Sequence, residues 1–237
     1  MIDDPTILVP IDVSDLEEPA LELVNLLGPL RIVVMGYYPV PDQAAPEQIR
    51  DEFEDEAKDA LEESVRRFAE TGADIESVLV FTRDRTQSVD RIANEYDCDA
   101  VLVPGHVESL NHILVSMKDE QNMFRVLEVV ALVMQAGDPE VTLYHAESIK
   151  KGSAKSELYL RGATDWLAER GLARERITWK EPTAETQQSD LLDLAESHDF
   201  VVIGESEPGV RERVLGEMPT RIHDRTAKPV LVVRKER

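Results

Sequence analysis

Apolar residues are distributed along this chain in two alternating rhythms. Short continuous runs come first: Thr6-Ile-Leu-Val-Pro-Ile11, Arg31 to Met35, Val78 to Phe81, and Ala100-Val-Leu-Val103 closed by Pro104-Gly105. Runs of this length, bounded by turn residues, predict strands buried on both faces. Between them, apolar residues recur every three or four positions, as on one face of a helix. Ala20, Leu21, Val24 and Leu27 form one such face. Ile49, Phe53, Ala57, Leu61, Val65 and Phe68 mark a long helix that closes near Gly72, and Val89, Ile92, Ala93 and Tyr96 mark a third. Ser14-Asp-Leu-Glu17 has the spacing of a capping box and predicts the start of the first helix.

The alternation then restarts. Strands are predicted at His112–Met117, Val141–His145, Ile177–Lys180, Phe200–Ile203 and Pro229–Val233. Helices are predicted over about 122–135, 156–170, 189–197 (with Ser189 as its cap) and 216–224. Ile7-Leu-Val is answered by Ile113-Leu-Val, 106 residues on, and Ala100-Val-Leu-Val by Phe200-Val-Val-Ile. A repeat this long indicates a duplicated domain. The organisation expected is α/β, with parallel sheets covered by helices, in two units: residues 1–110 and residues 111–237. The first unit stops after its fourth strand, because only Gly105–Asn111 separate that strand from the next unit.

Composition narrows the function. The chain has 237 residues, 42% of them hydrophobic, and a net charge of −22. An acidic surface opposes nucleic-acid backbones and anionic membranes, which attract clustered Lys and Arg. No apolar run reaches the ~18–20 residues of a membrane span, and the first residues lack the basic start of a signal peptide, so a cytoplasmic protein is expected. Scarce lysine on an acidic background suits a high-salt cytoplasm, where like-charge repulsion is screened. Cys98 is the single cysteine, which excludes an internal disulfide; its place before an apolar run predicts a buried thiol. His106, His112, His145, His198 and His223 have no metal-ligand spacing, and Trp166 lies in the apolar stripe of a helix.

Ile7-Leu-Val-Pro-Ile-Asp12-Val-Ser14, together with Val202-Ile-Gly204 through Pro229-Val-Leu-Val-Val233, resembles the universal stress protein family, and the resemblance spans nearly the whole chain. It implies two Rossmann-like domains in tandem, of the adenine nucleotide α-hydrolase-like type. It further implies that ATP or AMP is the ligand, with an Asp at the end of the first strand contacting adenine. A loop of the form Gly-x2-Gly-x9-Gly-Ser/Thr would hold the phosphates on backbone amides.

In the second unit Gly204, Gly209 and Gly216 answer the loop glycines if one residue is deleted. The second glycine is missing, Pro208 removes a donor, and Glu217 stands at the Ser/Thr position. Lys118 replaces the first-strand Asp, with Asp119 one residue late. In the first unit Asp12 is present and the phosphate loop is absent. Asp12 is therefore either a base or ribose contact or a turn residue beside Ser14. Gly204 and Gly209 either hold an anion or serve turn geometry, and Arg211, Arg213 and Arg221 either offset nearby carboxylates or form a solvated face.

The missing fifth strand of the first unit leaves Val230, Leu231, Val232 and Val233 as an expected exposed edge, a template for pairing with a second copy in a two-fold dimer. Three functions compete. The first is a non-enzymatic regulatory or stress-response module with a degenerate nucleotide site, acting by dimerisation or protein-partner binding. The second is an ATP- or AMP-binding sensor using a rearranged pocket. The third is an enzyme such as an adenylyl transferase, ranked last because no nucleophile or metal pair is evident.

Overall fold

The computed structural model describes residues 5–16, 20–28, 30–118, 120–145, 154–180, 187–205 and 216–235. The first half runs β1 (Thr6–Asp12), α1 (Leu21–Leu27), β2 (Arg31–Pro39), α2 (Pro46–Ala69), β3 (Ile75–Thr82), α3 (Arg85–Glu95) and β4 (Ala100–Val103). The second runs β5 (His112–Met117), α4 (Glu120–Val133), β6 (Glu140–His145), α5 (Ala154–Glu169), β7 (Ile177–Lys180), α6 (Gln187–Glu196), β8 (Phe200–Gly204), α7 (Glu217–Thr226) and β9 (Val230–Val233).

All nine strands join one sheet in the order β3-β2-β1-β4-β9-β8-β5-β6-β7. Pairing is parallel within each half and antiparallel where β4 meets β9. Helices α1, α2, α4 and α5 pack on one face, and α3, α6 and α7 on the other; each apolar layer draws residues from both halves. The central strands are apolar at successive positions because both of their faces are covered, which is why they appear in the sequence as continuous runs.

The C-terminal strand is not an edge, and this corrects the expectation made for it. Val230, Leu231, Val232 and Val233 pair with Val103, Leu102, Val101 and Ala100 on one side. On the other side they pair with β8, from Val201 to Gly204. The first half's missing strand left two open edges, those of β4 and β9, and they satisfy each other. With both rows of backbone groups paired inside one chain, the strand has none to offer a second copy.

The predicted helix caps also move. The α1 helix begins after Ala20, which makes no side-chain cap bond. Ser14 instead turns back, its amide and hydroxyl both donating to Asp12 Oδ1 at 2.9 and 2.7 Å. The local Asx turn outcompetes a capping box. The α1 face is rotated, with Leu23, Val24, Leu26 and Leu27 buried and Leu21 exposed. Ser189 lies inside α6 and does not cap it. Gly72 (φ +83°) and Gly171 (φ +98°) close α2 and α5 in the left-handed conformation that glycine tolerates.

The two halves share a hydrogen-bond pattern. Asp99, just before β4, accepts from Thr6 N at 3.0 Å, and its own amide donates to Thr6 O at 2.8 Å. Asp199, just before β8, accepts from Asn111 N and His112 N at 2.9 Å, and its amide donates to His112 O at 2.9 Å. Each Asp ties the fourth strand of its half to the first. The halves are then clamped to each other. Arg125 of α4 donates to Asp99 Oδ1 (2.8 Å) and to the Arg234 carbonyl (3.0 Å). Arg234 itself is buried and donates to the carbonyls of Ala93 (2.7 Å) and Cys98 (2.8 Å) beyond α3. Cys98 is buried, and burial pushes its thiol up to about 12, which keeps it protonated and unreactive.

Candidate functional site

The first half of the sheet changes direction between β1 and β4, because the chain leaves β1 toward β2 and β3 and returns to place β4 on the other side. In an open α/β sheet this switch point opens a crevice at the carboxyl ends of the strands. Here the crevice has a volume of about 880 Å³, within the range of small-molecule sites. Pro10, Ile11 and Asp12 of β1 form its floor with Tyr37 of β2 and Pro104-Gly105 beyond β4; Asp15, Ala20, Arg85, His106, His223 of α7 and Ala227 just after that helix complete the wall.

The second half thus walls a first-half site. A Cβ on Gly105 would overlap the Lys228–Pro229 backbone. The amide of His106 donates to Ala227 O at 2.7 Å. Gly105 is required by this close approach of two backbones, which brings the end of α7 to the mouth of the crevice.

Asp12 serves the turn beside Ser14 and also lines the crevice. Oδ1 takes the two Ser14 hydrogen bonds, while the residue lines the crevice; Oδ2 has no hydrogen bond among the described residues. Nearby, Tyr38 is stacked between Phe53 and Phe81 at 5.2 and 5.3 Å. Its phenol is pushed up by burial first, and then by the carboxylates of Glu56, Glu52 and Asp12.

Arg85, the first residue of α3, supplies positive charge. Its guanidinium lies over the Tyr37 ring, 5.0 Å from the centroid. Its Nε is buried without a hydrogen-bond partner, and it makes no ion pair among the described residues. Asp84 before it caps α3 by accepting from Gln87 N at 2.9 Å.

The second-half positions are elsewhere. Gly204 ends β8 opposite Val233, and Val233 pairs with Ala100 at the start of β4. Gly204 therefore lies at the opposite end of the sheet from Asp12, and the two do not form one site. The space over Gly204 is already occupied. A Cβ there would lie 2.8 Å from Asn122 Nδ2 and 3.3 Å from Val126. Asn122 also donates to the Val233 carbonyl at 3.1 Å. Its glycine is explained by helix α4 packing onto the strand end.

Gly216 precedes α7 with extended backbone, φ −72°. Glu217 is exposed at the first turn of α7, 3.5 Å from Arg221 Nη1. A carboxylate at a helix N-terminus complements the dipole with no ligand present. Gly209, Arg211 and Arg213 lie outside the described residues. Among the described residues, no group of three His, Cys, Asp or Glu could hold a metal ion, and no helix is long and apolar enough to cross a membrane.

Sequence reasoning singled out Asp12, which lines the crevice, and gave no crevice role to Tyr37, Arg85, His106 or His223. Arg85 was within reach of inference, since it follows a cap residue at the carboxyl end of β3, on the edge where such sheets bind ligands. His223 was not, because it belongs to the other half.

This is an α/β protein whose two halves repeat one strand–helix order, with a switch-point crevice in the first. No protein-family profile matches the chain, and neither does the sequence of any curated protein. Among solved structures it is similar to a universal stress protein from Archaeoglobus fulgidus, at 16% identity and a TM-score of 0.66, the match covering 98% of both chains. It is also similar to a functionally unknown protein from Pseudomonas aeruginosa PAO1, at 14% identity and a TM-score of 0.56, covering 98% of this chain and 93% of the other. The fold is that of the universal stress proteins.

Proposed function

We propose that this chain is a non-enzymatic, cytoplasmic regulatory module of the universal stress type that responds to an adenine nucleotide bound in the first-half crevice. The observation that carries the reading is the roughly 880 Å³ space at the carboxyl ends of β1 and β4, lined by Asp12 and closed by α7. It favours the rearranged-pocket form of the function. In the second half, protein atoms fill the space over Gly204 and a carboxylate stands at the α7 N-terminus. That half is the degenerate one, with a structural role. The acidic surface fits a high-salt cytoplasm.

The test is calorimetric or thermal titration of the purified chain with AMP, ADP and ATP in concentrated KCl. A ligand that binds the native state raises the melting temperature as RT ln(1 + [L]/Kd). A concentration-dependent rise, abolished by Asp12→Ala, is expected. A flat response at millimolar ligand removes the proposal and leaves a module acting through a protein partner.

A further inference from the structure

We infer that Arg85 replaces the absent phosphate loop as the anion seat of the first-half crevice. The ligand taken there then carries a single compact anionic group, as a nucleoside monophosphate does, and not an extended triphosphate. This rests on the nucleotide reading above and adds to it the ligand's charge state and the residue that reads it.

Three observations converge on this residue. First, Arg85 has no ion pair among the described residues, in a chain of net charge −22. Arg31, Arg125, Arg176 and Arg225 all pair with carboxylates. Arg85, inside a crevice with its Nε buried, pairs with none among the described residues. A buried guanidinium N–H without an acceptor is costly until an anion completes it.

Second, its geometry is preset. The Tyr37 ring supports one face of the guanidinium, which leaves the edge N–H groups directed for the bidentate recognition that suits a phosphate. The helix end is not the seat, because the α3 amide of Gln87 is already taken by Asp84.

Third, the rest of the wall limits how much negative charge fits. Asp12 and Asp15 line the same crevice, and the glycine-rich loop that would neutralise a polyphosphate is absent, since Gly105 is packed against the 228–229 backbone. Asp12 Oδ2 suits a hydroxyl or amino donor at the uncharged end of the ligand. One cation facing two carboxylates accommodates one small anion and repels additional ones.

The experiment is isothermal titration of the full chain with adenosine, AMP and ATP at constant high ionic strength, repeated with Arg85→Gln. The expected result is that AMP binds more tightly than adenosine and ATP no more tightly than AMP. Arg85→Gln should then weaken AMP roughly ten- to a hundredfold and leave adenosine unchanged, which also reports that the variant is folded. If that variant does not fold, Arg85→Lys keeps the charge and should retain part of the AMP preference.

Equal affinity of the wild type for AMP and adenosine, tighter binding of ATP, or an Arg85 variant with AMP affinity intact each overturns the inference while leaving the nucleotide site standing. Failure of all three ligands to bind the wild type removes the nucleotide reading itself, and this inference with it.

Discussion

Arg85 and Arg234 are two opposite fates of a guanidinium in an acidic chain. Arg85 lines a cavity and lies over the Tyr37 ring. Arg234 is 4% exposed and spends its donors on the Ala93 and Cys98 carbonyls, with Asn94 Oδ1 as a further partner. Removing a buried charge recovers its desolvation cost, yet the carbonyls it served would be left buried without donors, and that loss dominates. Arg234→Met, which preserves volume, is therefore expected to cost about 2–4 kcal/mol in a denaturant melt.

His198 carries the pH prediction at this scale. Burial lowers its pKa, opposed by the Nδ1–H bond to Leu194 O at 2.7 Å and reinforced by the charges of His112 and Lys228. The folded state prefers the neutral ring. The associated stability is thus present above the free imidazole value near 6.5 and is lost as pH falls through the depressed folded value. Melting temperature should fall on acidification below about pH 6.5, and His198→Asn should flatten that part of the profile. A wild-type curve no steeper than the variant's would remove His198 as the cause.

Among the elements, every strand named from the apolar runs is present in the structure. Ends shifted, as with β2, which extends to Pro39, and β3, which begins at Ile75. These elements were legible because a run buried on both faces leaves its periodicity in the chain. The β4–β9 pairing was not legible. Antiparallel register between Ala100–Val103 and Val230–Val233 leaves no local mark, and two strands with open edges can be matched only when the whole sheet is assembled. Asp12 was legible because its partners, Ser14 and the end of β1, are neighbours in sequence. His223 lines the crevice from the other half and leaves no such sign.

The pairing carries its own prediction. Leu231 is fully buried opposite Leu102, so Leu231→Ala should cost about 3–5 kcal/mol. Sedimentation should give the same mass for Leu231→Ala as for the wild type. A change in assembly state at retained stability would restore the intermolecular strand.

For the whole molecule the governing quantity is charge. With a net charge of −22, self-repulsion opposes compaction. Most ion pairs among the described residues are exposed, such as Arg91–Glu95 and Arg161–Glu157, and contribute little each. Screening should outweigh the weakening of those pairs, because repulsion acts over the entire surface and the pairs act singly. The melting temperature should rise between about 0.1 and 1 M KCl, over which the Debye length falls from ~10 to ~3 Å. A fall over this range would contradict the high-salt reading.

The two halves are sewn together by β9, which is bonded to β8 on one side and β4 on the other. A molecule joined through the middle of its sheet has no hinge there, so it cannot signal by swinging its halves apart. A ligand in the first-half crevice would lie against His223, near the end of α7, a helix of the other half. The other end of that helix, at Glu217, is exposed at the opposite end of the sheet.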